Sequence, residues 1–442
     1  MGCKYERRRN FQVILHQILD VYMNILIRQA KITDENSPYN GLIKDILIDA
    51  DQIVSIEDHI SETADKIIES LDLQVSLGWV DLFSHFCDPG IEYKETLETG
   101  ANTAAAGGFT RVFVLPNTDP VVDNKSQVSY IVQNATTLPV SIHPIGAITK
   151  KIEGKDLAEM YDMKNNGAVA FSDGLSPVQT AGLFLKALLY VKAFDGVLIQ
   201  IPIDKTIGAG GLINEGIIST QLGLPGIPAI SEETIIKRDI DLARYTDSKL
   251  HVTAISTETS VNLVKEAKKE GLHVTCSVTP YHLFFCDEDL VDYDTNLKQN
   301  PPLRTRKDML ALQCAVLDGT VDCIASHHFP QNWDNKICEF EYAKSGMIGL
   351  QSSYVVVNTI LPDLSTEKIV ALFSSNARTI FGLKPTNIQV GSKAELTLFS
   401  RDETTILTAD NNKSKSANSP FFDKTLKGKV LGILHKGNFV IN

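Results

Sequence analysis

The chain has 442 residues, and 42 Lys and Arg against 54 Asp and Glu give a formal charge of −12. That length suits two or three domains, or one large α/β barrel with a satellite, and 43% hydrophobic with 22% charged residues excludes wholesale disorder. The acidic balance argues against a nucleic-acid binder, and no run approaches the roughly 18 apolar residues of a membrane span. Seven cysteines (Cys3, Cys87, Cys276, Cys286, Cys314, Cys323 and Cys338) are odd in number and contain no Cys-x-x-Cys pair. They read as free thiols of a reducing cytoplasm.

Residues 1–22 differ from the rest of the chain. MGCKYERRRNFQVILHQILDVY carries four basic and two acidic side chains, and His16, Gln17 and Asp20 break its apolar stretch. It lacks a signal-peptide cleavage site, and Glu6 stands where myristoylation wants Ser or Thr. Met23 is the expected natural start, with 1–22 an upstream extension outside the fold. MNILIRQAKI and KDILIDADQIVSIED then alternate apolar and polar residues as strands do. Near residue 78 the texture changes. Eight short apolar runs come in order: WVDLFSHF, RVFVLPN, VSIHPIGAI, GAVAFSD, GVLIQIPI, KLHVTAIS, HVTCSVTP and VDCIASHH. Amphipathic segments such as SVNLVKEAKKEG separate them, which is the cadence of a (β/α)₈ barrel. After Leu383 strands return in SKAELTLFSR and LKGKVLGILHKGNFVIN, while NNKSKSANS at 411–419 reads as a surface loop. The expected organisation is a barrel over 78–383 beside a small composite β-sandwich built from 23–77 and 384–442.

Chemistry in such a barrel sits at the carboxyl ends of the strands. The stretch DPGIEYKETLETGANTAAAGGFTRVFVLPNTDPVVD from Asp88 is followed by GAGGLINEG from Gly208 and LGLPGIP from Leu222. NPPLR from Asn300, DGTVDCIAS from Asp318, SKSANSPF and LKGKV complete the series. Through this ordered series the chain resembles the dihydroorotases of the amidohydrolase superfamily, in the branch related to multifunctional pyrimidine-synthesis complexes, from about Met23 to Asn442. The resemblance implies a TIM-type barrel and a zinc-dependent hydrolase interconverting carbamoyl-aspartate and dihydroorotate.

The strand ends depart from that family's pattern. The family's Asp-x-His-x-His pattern, with Arg following, reads here Asp81-Leu82-Phe83-Ser84-His85-Phe86-Cys87. Phe83 replaces one metal-binding His, and Cys87 replaces an Arg that would grip a substrate carboxylate. The acidic pair on the fourth strand becomes Asp173-Gly174. On the fifth, either Ile201 or Pro202 takes the histidine's place, and neither can ligate. On the sixth, Ala254 replaces a ligand, and His251 faces the opposite way three residues earlier. On the eighth, His327 stands for the Asp that serves as ligand and general base, and Gln331 for a substrate-binding His.

Residual metal candidates are His85, Asp173 and His327, and the retained substrate-type positions are Asn117 and Asn300. Each has an ordinary alternative: His85 as a packed histidine between Phe83 and Phe86 at the mouth, Asp173 as a turn former, and at most one of His327 and His328 facing inward. Cys87 beside His85 suggests a nucleophile only if a cation lowers its pKa. Tyr281-His282 reads as structural, and GAGGLINEG lacks the Lys-Ser/Thr of a phosphate loop. The expectation is a catalytically inactive dihydroorotase-like protein with no catalytic residues, no resident cofactor and at most weak zinc. It would be cytoplasmic and dimeric, and would act as structural partner of aspartate transcarbamoylase, as degenerate members of the family do. The alternatives are an active cyclic-amide hydrolase with a site rebuilt around His85, Asp173, His327 and Cys87, and a sensor of a pyrimidine intermediate.

Overall fold

Period-two alternation explains the two large sheets of the protein. The computed structural model describes residues 24–441, so the reading of residues 1–22, and of Met23 as the start, lies outside the described residues. The chain opens with β1 (Asn24–Thr33), β2 (Ile43–Asp49), β3 (Gln52–Glu57), β4 (Lys66–Ile68) and β5 (Gln74–Leu77). In β1, Ile25, Ile27, Ala30 and Ile32 share one core with Ile46 and Ile48 of β2. A register shift between Ile27 and Ala30 resets the parity, so one face stays apolar along the whole strand.

The barrel strands come next: β6 (Trp79–Ser84), β7 (Phe109–Val114), β8 (Ser141–Gly146), β9 (Ala170–Phe171) and β10 (Val197–Gln200). A small parallel pair, β11 (Ile213–Asn214) and β12 (Gly226–Ile227), precedes β13 (Lys249–Thr253), β14 (Val274–Val278) and β15 (Cys323–Ile324). The eight barrel strands pair in parallel and in chain order, seven within the expected runs and β7 starting two residues ahead of RVFVLPN. Between β15 and β6 the ring closes without a regular ladder. Asp81 accepts from Ser326 N at 2.7 Å, and His85 N donates to the His328 carbonyl at 2.9 Å.

Side chains sort by parity. Val197, Ile199 and, just past β10, Ile201 fill the barrel interior with Phe113, Leu115, Ile145 and Ala325. Leu198, Leu250, Val252 and Val274 join the cluster beneath the outer helices. SVNLVKEAKKEG supplies most of the helix Glu258–Lys269, which buries Val261, Val264 and Ala267 and is capped by Thr257 accepting from Ser260 N.

The chain ends meet in one β-rich body. β16 (Leu396–Ile406) lies antiparallel to β5 and carries β17 (Thr425–His435) and β18 (Asn438–Ile441) beyond it. At the amino-terminal end of the barrel Glu395 pairs with Arg111 of β7 at 2.7 Å and with Arg378, joining the two bodies.

Segment 411–419, expected as a surface loop, is anchored. Ser414, Ser416, Asn418 and Ser419 are buried. Ser414 Oγ donates to Glu95, Ser416 Oγ to the Lys94 carbonyl at 2.8 Å, and Asn418 Nδ2 to the Phe329 and Gly346 carbonyls at 2.9 and 3.0 Å. These small polar side chains satisfy groups of the loops above the barrel, so polarity here serves burial.

Candidate functional site at the barrel mouth

Phe83, fully buried near the end of β6, lies flat on His327, which comes just after β15. The ring centroids are 4.5 Å apart with 25° between the planes. Behind them runs a chain of hydroxyls and imidazoles from inward positions of β13 and β14. Ser277 Oγ donates to Thr253 Oγ1 at 2.8 Å, and His251 Nε2 lies 3.0 Å from Ser277 Oγ. Thr253 Oγ1 in turn meets His327 Nε2 at 2.8 Å. Since Ser277 gives its proton to Thr253, it accepts from His251 Nε2–H. Thr253's own proton then goes to His327 Nε2, leaving His327 protonated at Nδ1. Burial pushes the pKa of both histidines down to about 3, so the chain is neutral.

His85 is committed elsewhere. Its Nε2–H donates to the Asn117 carbonyl at 2.9 Å, and its Nδ1 lies 3.5 Å from Cys87 Sγ. Burial lowers its pKa to about 4, against the opposing hydrogen bond to Asn117. Burial likewise pushes the Cys87 thiol up to about 12, outweighing Lys94, which disfavours the thiolate that a nucleophile needs. Asp173 holds a turn, accepting from Ile148 N and Thr149 N, each at 2.9 Å, and from Thr149 Oγ1 at 2.5 Å. Its pKa rises to about 6 through burial, which these hydrogen bonds only partly offset. At Gly174, φ is +57° and a Cβ would meet Asn117 Oδ1 at 1.8 Å, so an acid does not fit beside the present Asn117. Asn117 itself bridges this turn, its Nδ2 donating to the Asp173 carbonyl and its Oδ1 accepting from Leu175 N.

Parity places Ile201 on the inward face of the fifth strand, with Val197 and Ile199. Ala254 is buried just beyond β13 with φ +57°, and Cys87 and His327 also have positive φ, at +62° and +44°. Three positions that the sequence reading gives as departures from the family motif therefore sit in left-handed backbone, a conformation costly for any residue but glycine. His328 points away, with Nε2 3.2 Å from Glu95 and Nδ1 accepting from Gly349 N. Phe86, expected at the mouth, packs instead in the outer cluster against the helix Leu97–Ala106, where a Cβ on Gly100 would overlap its ring. His282 is structural, bonded to Thr279 and to the Pro301 carbonyl.

Sequence reasoning missed Thr253 and Ser277. Their signal was legible, because HVT and TCS place polar residues at alternate, inward positions of adjacent strands. It also missed Arg304 of NPPLR, a buried hub bonded to Ser256, Asn214 and the Ile227 carbonyl and facing Glu232 at 3.5 Å.

Above the stack is a cavity of about 150 Å³ bordered by Ile201, Tyr281, Asn300, His327, Phe329 and Gln331. Gln331 is pinned by Lys94, whose Nζ donates to its Oε1 at 3.0 Å. The zinc expected of active relatives finds no matching donor set. Phe83 and His327 fill each other's approach, the Nε2 of His85 faces a carbonyl, and both Asp173 oxygens serve the turn. Among the described residues no group of three or more His, Cys, Asp or Glu could hold an ion. Nor is any helix among them long and apolar enough to cross a membrane.

The fold has close counterparts among solved structures. It superposes on an L-hydantoinase (dihydropyrimidinase) from Arthrobacter aurescens with a TM-score of 0.83 at 21% identity, covering 95% of this chain and 96% of that one. A dihydropyrimidinase from Brevibacillus agri gives 0.80 at 20% identity, with 95% of each chain covered. At such identities the likeness fixes the amidohydrolase-type barrel and no more. Sequence goes further, for the Dihydro-orotase-like family model matches residues 74–260. Dihydroorotases from Syntrophus aciditrophicus and Acetivibrio thermocellus are 36% and 39% identical to this chain. They cover 95% and 94% of it and 99% of their own lengths. One from Caldicellulosiruptor saccharolyticus is 40% identical over 94% of this chain and 98% of its own. Identity of that order, sustained from one end of the described fold to the other, means that the chain belongs to the dihydroorotase family.

Proposed function

We propose that this chain is a non-catalytic member of its family, serving pyrimidine synthesis as a structural partner of aspartate transcarbamoylase. One observation carries the first half: the stacked pair Phe83 and His327 occupies the two positions where the family motif would set a metal-binding His and the Asp that is both ligand and base. Phenyl carbon has no lone pair, and the His327 imidazole is neutral and spends Nε2 on Thr253. The second half rests on the family resemblance and on what the chain has kept. The segment from Asp88 to Asp123, the outer helices and the β-rich body must still fold and dock after the strand ends have changed.

The test has two arms. After dialysis the purified protein should hold less than one zinc per chain and show no dihydroorotase turnover above background with zinc added. Stoichiometric zinc or turnover would overturn the proposal. Mixed with aspartate transcarbamoylase at micromolar concentration, it should co-elute as a symmetric assembly built on dimers of each chain, through a contact of about 1,000 Å² or more. Separate elution with unchanged transcarbamoylase rates would end the partner reading.

A second reading draws on the relatives' names: dihydroorotases 36% to 40% identical over nearly the whole chain favour an active cyclic-amide hydrolase. Turnover in the first arm selects it. On the non-catalytic reading Phe83→His alone restores nothing, because Ile201, Ala254 and His327 still replace family ligands.

A further inference from the structure

We infer that the barrel mouth binds an uncharged six-membered cyclic amide and rejects the same ring bearing a carboxylate. This use of the mouth rests on the non-catalytic reading. Size comes first. A cavity of about 150 Å³ has room for a single six-membered ring. Shape and polarity come from the lining. Ile201, Ile203 and Phe329 supply flat apolar walls, while Gln299 and Asn300 bring side-chain amides to the rim. Amide groups offer both donors and acceptors, the complement of a ring that alternates N–H and C=O.

Hydrogen-bonding capacity remains there. Among the described residues the Asn300 side chain makes no hydrogen bond, and Gln299 uses only Nε2, toward the Asn296 carbonyl at 2.9 Å. His327 spends Nε2 on Thr253 and keeps Nδ1–H as its remaining donor. Charge is the discriminating feature. No Lys, Arg, Asp or Glu borders the cavity. Lys94 stands behind Gln331 with its ammonium held by that amide oxygen, and Cys87 cannot replace a guanidinium. The neutral state of His327 agrees. A carboxylate entering this mouth would lose water without gaining a charged partner, which is costlier than burying an amide that finds its hydrogen bonds.

The matched probes are 5,6-dihydrouracil and dihydroorotate, which differ by one carboxylate. Titration calorimetry on the full chain should give dihydrouracil a Kd of about 0.1–1 mM, as suits a ligand this small. Dihydroorotate should bind at least about tenfold more weakly. Ile201→Lys places an ammonium at the mouth and should narrow or reverse that ratio. Because a buried lysine also burdens folding, Asn300→Ala is the second variant. It removes an exposed side chain without internal bonds and should weaken dihydrouracil about fivefold or more. No binding of either ring at about 10 mM, equal or tighter binding of dihydroorotate, or unaltered affinity in Asn300→Ala would each overturn the inference. Turnover of dihydroorotate in the same cell would instead defeat the non-catalytic reading, so the two failures are told apart.

Discussion

At the foot of the barrel Glu395 lies between the guanidiniums of Arg111 and Arg378, and His143 stands 3.2 Å from Arg111. At the mouth the inward groups are Phe83, His327, Thr253, Ser277 and His251, a connected set without a formal charge. Both ends are buried, so both face the same penalty for unpaired charge. The foot meets it with opposite charges held in fixed geometry. Burial pushes the Glu395 carboxyl upward, but the hydrogen bond from Arg111 and the charge of Arg378 outweigh it and hold it well below the ordinary carboxylate range. The stacked and hydrogen-bonded set at the mouth avoids the penalty by carrying no charge. In a metal site the ion would balance an acid at that end. Here Phe83 covers the ring at the acid's position, and hydroxyls satisfy the imidazoles.

Removing one partner should therefore hurt the foot more than the mouth. Glu395→Ala leaves the buried Arg378 and the half-buried Arg111 without their carboxylate and should cost about 3–5 kcal/mol in urea denaturation. His327→Phe keeps a flat ring on Phe83 and loses one neutral hydrogen bond, to Thr253, for about 1–2 kcal/mol. Equal losses would break the comparison.

Acid should expose the same contrast in a different pH window. The folded-state pKa values of His251 and His327 are about 3 and that of His85 is about 4, all below the ordinary 6.5. Between those values the unfolded chain binds protons that the folded chain refuses, so stability falls as pH drops below about 6.5. Asp173 and Asp239, raised to about 6 and about 7, work the other way, one proton each. His143, His282 and His435, lowered to about 3, 4 and 4, reinforce the loss. Glu395 joins only below its ordinary 4.5. His327→Phe should flatten the decline between pH 6.5 and 4.5 by up to about 1.4 kcal/mol per pH unit. An unchanged slope would mean that His327 is not held neutral.

Legibility in the chain tracks the range of each interaction. Strand order and inward parity were legible because they are local. Val197-Leu198-Ile199-Gln200-Ile201 states its two faces in five residues. Departures at Phe83, Cys87 and Ala254 were legible because each breaks a short motif. The Phe83–His327 stack was not, since it joins residues 244 positions apart across a closure that lacks a regular ladder. Segment 411–419 was misread for the same reason, for nothing local says that Asn418 meets the carbonyls of Phe329 and Gly346. Composition suggested a surface, and the partners decided otherwise.

The smallest predicted effect concerns backbone that the mouth shows and the foot does not. Cys87, Ala254 and His327 have positive φ, whereas Glu395, Arg111, Arg378 and His143 do not. A left-handed alanine costs roughly 1–2 kcal/mol that glycine avoids. Substituting Ala254 by Gly also removes a buried methyl group, worth about 0.8 kcal/mol, so the net change should be a stabilisation of about 0.5 kcal/mol. Ala325, buried two strands away without positive φ, loses the same methyl and gains no relief, so Ala325→Gly should destabilise by about 1 kcal/mol. The gap between the two variants isolates strain from burial, because methyl and helix-free surroundings are alike in both. Thermal or urea midpoints that shift equally for Ala254→Gly and Ala325→Gly would show the strand-end backbone to be relaxed. A gap of about 1–2 kcal/mol would show that the left-handed backbone at the mouth is strained.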